Sequence, residues 1–305
     1  MSFRSALVTG SGGFIGRALV RELLNRRVWV AALGRNSSTF PQGVIPVRTN
    51  SFSGSDLRAA LSDQQFDVLF HLAAYGVSPD DHDVDTMQRI NVAATGALVQ
   101  VAAKSSARAV VYSGSCSEYG PGEHGRLIDE DWRLAQSGLY GASKVAAGFW
   151  GRAVAAQAGL AFSWIRLFGV YGPGEAPHRL VPDVVSRLCQ NQIVSLTPGQ
   201  QTRDFMFVDD AVEGLILAAE AALRGHIGPY NLCTGRPTTV KEVACTIARK
   251  LSKPESLLAF SALPYRSGEP MWMVGCPDRF RSVTGHLPAI SLDEGIDRTI
   301  AAMKY

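Results

Sequence analysis

The sequence predicts an α/β fold organised on a doubly wound parallel sheet, and three observations carry that expectation. The chain opens on a β-prone run from Ala6 to Val8, a glycine-rich turn, and then residues at helical spacing through Phe14, Ile15, Leu19, Leu23 and Leu24. Strand and helix patterns go on alternating, with roughly thirty residues per unit, as parallel crossovers require. Strand patterns such as Phe66 to Ala74 are apolar throughout, which marks strands covered on both faces.

The opening turn carries Gly10, Gly13 and Gly16 between the first strand and the first helix. That spacing leaves backbone N–H groups free at a helix N-terminus, where a dinucleotide pyrophosphate is held, as in a Rossmann-type domain. Gly10 makes the sharp bend, Gly13 admits the phosphates, and Gly16 lets helix and strand approach. A second strand, Val28 to Leu33, ends at Gly34, Arg35, Asn36, Ser37 and Ser38. An acid at this strand end would bind the free 2′-hydroxyl of NAD, whereas an arginine suits the 2′-phosphate of NADP. With Arg35 present and no acid beside it, NADP(H) is the favoured cofactor, NAD(H) being possible.

Val44 to Val47 reads as a short third strand, followed by Asn50 and Ser51 where the adenine would lie, and by Asp56 as a helix cap. The small residues Ala73 and Ala74 at the end of the fourth strand leave room for a cofactor. The acidic run Pro79 to Asp85 lacks a helical His pair and reads as a solvated helix start rather than a metal site. His71 reads as a core histidine. A helix from about Met87 to Lys104 leads into a fifth strand, Ala107 to Tyr112.

Composition narrows the functional classes. A hydrophobic content of 46% against 19% charged residues fits a globular enzyme and argues against disorder. The net charge of +3 is small and dispersed, so neither nucleic acid nor a membrane surface is an expected partner. Five scattered cysteines (Cys116, Cys189, Cys233, Cys245, Cys276) form no Cys-x-x-Cys pair and suit reduced thiols in a cytoplasm. The first strand begins close to Met1, which leaves no room for a signal peptide, and no apolar run is long enough to cross a bilayer.

The chemistry is concentrated after the fifth strand. Ser113 to Gly120 closes that strand, and Tyr140 and Lys144 follow four residues apart on a helical stretch, hence on one face. A tyrosine beside an ammonium and an oxidised nicotinamide is favoured as phenolate, and can exchange a proton with a substrate oxygen while hydride moves on the cofactor. The Ser115 hydroxyl would hold that oxygen. Tyr-x-x-x-Lys alone is a common accident; in order after a strand-end serine and a glycine turn it is specific.

These residues, with His71 to Ala74 and Asn91-Val92, resemble the extended short-chain dehydrogenase/reductase family, the nucleotide-sugar epimerases, dehydratases and reductases. The resemblance covers nearly the whole chain. It implies that Tyr140 is the acid/base, that Lys144 lowers its pKa and binds the nicotinamide ribose, and that Ser115 positions the substrate oxygen. Leu72, Ala73 and Ala74 would flank the cofactor. It further implies a cofactor domain over residues 1–168 and a mainly substrate-binding, mixed domain over 169–305 with segments returning to the core. A homodimer through the helices near Asn91 to Lys104 and Tyr140 to Ala156 is also implied.

In the C-terminal part, Arg203-Asp204-Phe205 and Arg266-x-Gly-Glu269 match family segments whose arginines pair with a nucleotide diphosphate, as guanidinium geometry allows. Many relatives place asparagine where this chain has Gly169. Dehydratases place an acid in the two positions after the strand-five hydroxyl, here Cys116 and Ser117, which with Gly169 are expected to meet the substrate. The strings Ser115 to Gly120 and Leu196 to Phe205 look most like reductases of nucleotide-linked 4-keto-6-deoxyhexoses, such as CDP-abequose synthase. The leading expectation is therefore an NADPH-dependent reductase of that C4 ketone. The alternative is a nucleotide-sugar 4-epimerase with tightly bound NAD, and a non-catalytic dinucleotide scaffold is a distant third.

Overall fold

The structure is a computed structural model and describes residues 1–35, 40–78, 81–134 and 138–303. In chain order its elements begin with β1 (Ser5–Thr9), α1 (Phe14–Asn25), β2 (Trp29–Arg35), β3 (Ile45–Thr49), α2 (Gly54–Ala60) and β4 (Val68–His71). Next come α3 (Val84–Met87), α4 (Ala94–Lys104), β5 (Ala109–Ser115), α5 (Leu139–Gln157), β6 (Ala161–Leu167) and β7 (Gly169–Tyr171). The chain continues through α6 (Leu180–Cys189), β8 (Val194–Ser195), β9 (Thr202–Phe207), α7 (Val208–Leu223), β10 (Pro229–Leu232) and β11 (Pro237–Thr239). It closes with α8 (Val240–Lys250), β12 (Leu258–Ala259), β13 (Trp272–Met273), α9 (Asp278–Thr284) and α10 (Leu292–Ala302).

Seven strands form one parallel sheet in the order β10-β6-β5-β4-β1-β2-β3. The order reverses between β1 and β4, where Thr9 stands beside His71 in register. At such a switch point the loops leave in opposite directions and open a crevice at the carboxyl ends of the strands. Strand alternation divides the core: Val8 and Phe70 pack with Leu19, Leu23, Ala211 and Leu215 on one face. On the other face Leu7 and Leu69 pack with Leu57, Leu98 and Ala147. Each such fully buried aliphatic side chain contributes about 1.5–3 kcal/mol, so both helix layers are fixed by the apolar runs of the strands.

The C-terminal part is mixed, as expected. β9 pairs with β7 and β13 in parallel and with β11 antiparallel, β12 pairs with β8, and β10 returns to the main sheet beside β6. Among the described residues no helix is long and apolar enough to cross a membrane.

Several boundaries differ from the sequence expectation, each for a local reason. The N-cap of α2 is Ser53, whose hydroxyl accepts from the Asp56 backbone N–H, so Asp56 lies in the first turn. In the first turn of α7, which also holds Asp209, Asp210 accepts from the backbone N–H groups of Ala289 and Ile290 (3.2 and 2.9 Å) and ties α7 to the C-terminal segment. The expected helix from Met87 is interrupted by a π-helical stretch, Gln88–Ala93, which a regular helical period cannot reveal.

Candidate active site

The crevice at the switch point is a cleft of about 990 Å³. Gly10 to Gly16 form its floor; Arg35, Phe52 and Leu72 to Ala74 line one end, and Ser113 to Ser115 with Tyr140 line the other. Gly10 has φ +70°, and a Cβ there would stand 2.7 Å from the Ala73 nitrogen, so only glycine makes this bend. A Cβ on Gly16 would meet the Gly10 carbonyl oxygen at 2.0 Å, which is why α1 can start directly over the turn. The N-cap of α1 is Gly13, which supplies no side-chain cap, and the first-turn N–H groups are left to face the cleft. Shape and donors both fit a dinucleotide pyrophosphate. Phe14 and Ile15 line the cleft half-buried.

His71 joins β1 and β4 beneath that floor and is buried, as the sequence suggests. Thr95 Oγ1 donates to the Asn91 carbonyl (2.6 Å) and so accepts from His71 Nε2 (2.9 Å). Nδ1 then accepts from the Thr9 hydroxyl (2.7 Å), whose oxygen accepts the Ala73 N–H (3.1 Å). The ring is thereby fixed as the neutral Nε2–H tautomer and holds the cleft-lining Ala73 in place. Burial pushes its pKa from 6.5 down to about 3, with Lys144 adding to the shift. The unfolded chain binds this proton below pH 6.5 and the folded chain refuses it, so the residue makes stability fall as pH drops through that window. We expect the unfolding free energy of His71→Gln to change less between pH 6 and 4 than that of the parent, by about 1.4 kcal/mol per pH unit. Equal slopes in urea titrations would contradict this assignment.

Tyr140 and Ser115 both line the cleft, whereas Lys144, four residues further along α5, is buried and does not line it. A Cβ on Gly141 would lie 2.0 Å from the Ser117 carbonyl oxygen, so the first turn of α5 rests directly on the chain after β5. The Tyr140 ring packs over Gly76, whose φ is +97° and whose added Cβ would stand 3.0 Å from Tyr140 Cδ2. The Ser115 hydroxyl accepts the Ser117 backbone N–H (3.1 Å) and shares the cleft lining with Tyr140. Lys144 is buried with its ammonium 4.4 Å from the Tyr112 ring centroid. Burial lowers its pKa from 10.5 to about 8, and Glu118 pulls it back up.

Burial lifts the Tyr140 phenol, Cys116 and Glu118 lift it further, and Ser115 and Arg179 pull it down.

Glu118 faces away from the cleft. Its carboxylate is fully buried, accepts from Arg166 Nε (2.8 Å), Trp164 Nε1 (3.1 Å) and the Ser115 backbone N–H (2.9 Å), and forms a buried ion pair with Arg166. Burial pushes its carboxyl up and Arg166 pulls it down. Glu118 therefore sets the backbone position of Ser115, a role that its place in the sequence does not display. Asn91 has a similar part: it accepts from the Tyr75 N–H, donates to the Tyr75 carbonyl and donates to Ser143 Oγ (each 2.8 Å), linking the cleft loop to α5.

The remaining expected site residues are placed less centrally. Ser51 donates to Asp56 (2.6 Å) within the cap of α2, and Phe52 rather than Asn50 or Ser51 lines the cleft. Ser37 and Ser38, beside Arg35, and Pro79 and Asp80 of the acidic run lie outside the described residues; Asp83 of that run caps α3. No cluster of metal-ligating side chains occurs among the described residues. Cys116, Ser117, Gly169, Arg203 and Arg266 do not line the cleft. Arg203 is ion-paired with Glu269 (2.5 Å) and its charge reaches Cys116, whose thiol burial raises to about 11. Arg266 is exposed. A Cβ on Gly169 would lie 2.5 Å from the Asp204 carbonyl oxygen, so the pairing of β7 with β9 excludes a larger residue unless β9 shifts. Conversely, Arg89, Glu175, His178 and Arg179 line the cleft without any motif to announce them, because they lie on loops or on the irregular stretch before α4.

Residues 6–233 match the NAD dependent epimerase/dehydratase family. The UDP-glucose 4-epimerase of Mycolicibacterium smegmatis is 29% identical, over 96% of each chain. The dTDP-glucose 4,6-dehydratase of Streptomyces griseus is 28% identical, over 97% of this chain and 92% of that one. Among solved structures, MoeE5 in complex with UDP-glucose and NAD is 30% identical, covers 98% of both chains and superposes with a TM-score of 0.85. The cleft, its glycine floor and the Ser115, Tyr140 and Lys144 set thus belong to an enzyme of the extended short-chain dehydrogenase/reductase type, and the chain is a member of the NAD dependent epimerase/dehydratase family.

Proposed function

We propose that the enzyme inverts the configuration at C4 of a nucleotide-diphosphate hexose, with NAD retained through the cycle. The observation that carries this reading is the Ser115–Tyr140 pair lining a dinucleotide cleft, with no acid in the two positions after Ser115. Dehydratases of the family place an acid there, and the next acid along this chain, Glu118, is sequestered by Arg166. This favours oxidation and reduction at C4 over elimination. Bound in the cleft, the cofactor supplies a hydride acceptor that can return what it takes. Tyr140 takes the C4 hydroxyl proton as the C4 hydride leaves, and returns a proton when hydride is delivered to the opposite face. Ser115 holds the C4 oxygen through both halves. Lys144, protonated below about pH 8, would meet the nicotinamide ribose. Residues 1–168 would hold the cofactor and 169–305 most of the substrate, with Arg203 and Arg266 reaching the diphosphate.

The likeness to UDP-glucose 4-epimerase and to MoeE5 with UDP-glucose and NAD supports this reading over the reductase. Arg35 supports the second reading, an NADPH-dependent 4-keto-6-deoxyhexose reductase, because it ends β2 exposed and lines the cleft where the adenosine ribose would lie. The similarity to known proteins does not carry the nearer likeness to those reductases. Cofactor retention separates the two. Desalted protein should release one equivalent of NAD on acid denaturation; cofactor-free protein that consumes NADPH with a 4-keto sugar would establish the reductase instead.

A homodimer fits the same reading, since Phe149 and Trp150 of α5 are 47% and 53% exposed beside α4. Light scattering should give twice the chain mass at micromolar concentration, and a monomer would refute the pairing.

A further inference from the structure

The loop between β7 and α6 carries a carboxylate that the mechanism above does not use. Glu175 lines the same cleft as Phe14, Ser115 and Tyr140, and its side chain is 10% exposed. Its backbone N–H closes a turn onto the Gly172 carbonyl (3.2 Å). The neighbouring Gly174 carbonyl accepts from Arg17 of α1 (3.3 Å), which fastens this loop to the end of the cleft where the glycine turn lies. One carboxylate oxygen, Oε1, is 3.6 Å from Arg179 Nε, a half-exposed guanidinium. The other, Oε2, is buried and has no hydrogen-bond partner among the described residues.

A buried carboxylate oxygen without a donor is costly, and native structures seldom keep one unless something else satisfies it. Burial lifts this carboxyl from 4.5 to about 7 despite Arg179, so the chain itself offsets only part of the desolvation. The cleft is the open side. We infer that Glu175 is a ligand-contacting residue whose Oε2 accepts a hydrogen bond from a neutral N–H or O–H donor of the molecule bound in the cleft. Of the neutral donors such molecules carry, the one inferred is either the nicotinamide carboxamide of the cofactor or a hydroxyl of the hexose. The second source rests on the proposed substrate class; the first does not.

Binding measurements distinguish these sources without requiring turnover. The full-length protein, cleared of cofactor with charcoal, is titrated with NAD, ADP-ribose, UDP-glucose and UDP, as the parent, Glu175→Ala and Glu175→Gln. If the carboxamide is the donor, Glu175→Ala weakens NAD by about tenfold or more and leaves ADP-ribose unchanged. If a hexose hydroxyl is the donor, UDP-glucose weakens by that factor and UDP does not. In either case Glu175→Gln, which keeps a carbonyl acceptor, recovers most of the loss. Unchanged affinities for NAD and UDP-glucose in Glu175→Ala would overturn the inference. So would equal losses for NAD and ADP-ribose or for UDP-glucose and UDP, since these place the loss on a part of the ligand other than the carboxamide or the hexose. Failure of the parent to bind UDP-glucose would count against the proposed substrate while leaving the NAD and ADP-ribose comparison intact.

Discussion

Tyr140→Phe should lower turnover by about 10²- to 10⁴-fold while leaving the fold and cofactor binding intact. The substitution removes one oxygen. The ring keeps its packing over Gly76, and Gly141 still seats the first turn of α5 on the Ser117 carbonyl. What disappears is the group proposed to exchange a proton with the substrate oxygen; the Ser115 hydroxyl, which accepts the Ser117 N–H, is left to hold that oxygen. Burial lifts the phenol above its ordinary value in the free chain, and the positive charge of an oxidised nicotinamide would act against that shift. Rapid-quench turnover, with circular dichroism and NAD binding as controls, measures the effect. A variant within threefold of the parent would remove Tyr140 from the chemistry.

Glu118→Gln should destabilise the protein by about 3–5 kcal/mol, because it leaves the Arg166 guanidinium buried without its counter-charge. Arg166 also donates to the Tyr119 phenol (2.9 Å) and the Glu130 carbonyl (3.2 Å), and stacks over the Trp164 and Tyr119 rings, so it cannot swing out to water. The same carboxylate accepts the Ser115 N–H, and the loss should therefore appear in turnover as well as in stability. Urea unfolding of parent and variant gives the first quantity. A loss below about 1 kcal/mol would show that the pair is dispensable, as exposed pairs usually are.

The glycine turn and the Tyr140–Lys144 spacing were legible because each is a local pattern. Gly10 and Gly16 are required by contacts within a few residues or at the neighbouring strand end, and Tyr140 and Lys144 share a face of one helix. Strand identities followed from apolar runs buried on both faces, although β2 and β5 extend further than those runs, through Arg35 and Ser115. What was illegible depends on distant partners. Glu118 resembles a misplaced catalytic acid until Arg166, forty-eight residues on, is seen to hold it in the core. Arg203 gives no sign in the sequence of its ion pair with Glu269, sixty-six residues on. His71 was readable as a core residue from its apolar strand, yet its tautomer depends on Thr9, Thr95 and Asn91 from three separate segments. Glu175 lies on a loop with no periodicity, and only its burial in the cleft distinguishes it.

The central claim is that hydride leaves C4 of a nucleotide hexose and returns to it within one active site. Incubating the desalted protein, without added cofactor, with UDP-glucose and UDP-glucuronic acid deuterated at C4 tests this most directly. The predicted result is the C4 epimer of at least one of them, with the deuterium retained. Epimer that has lost its deuterium to solvent, or conversion only when NADPH is added to a 4-keto sugar, would contradict it.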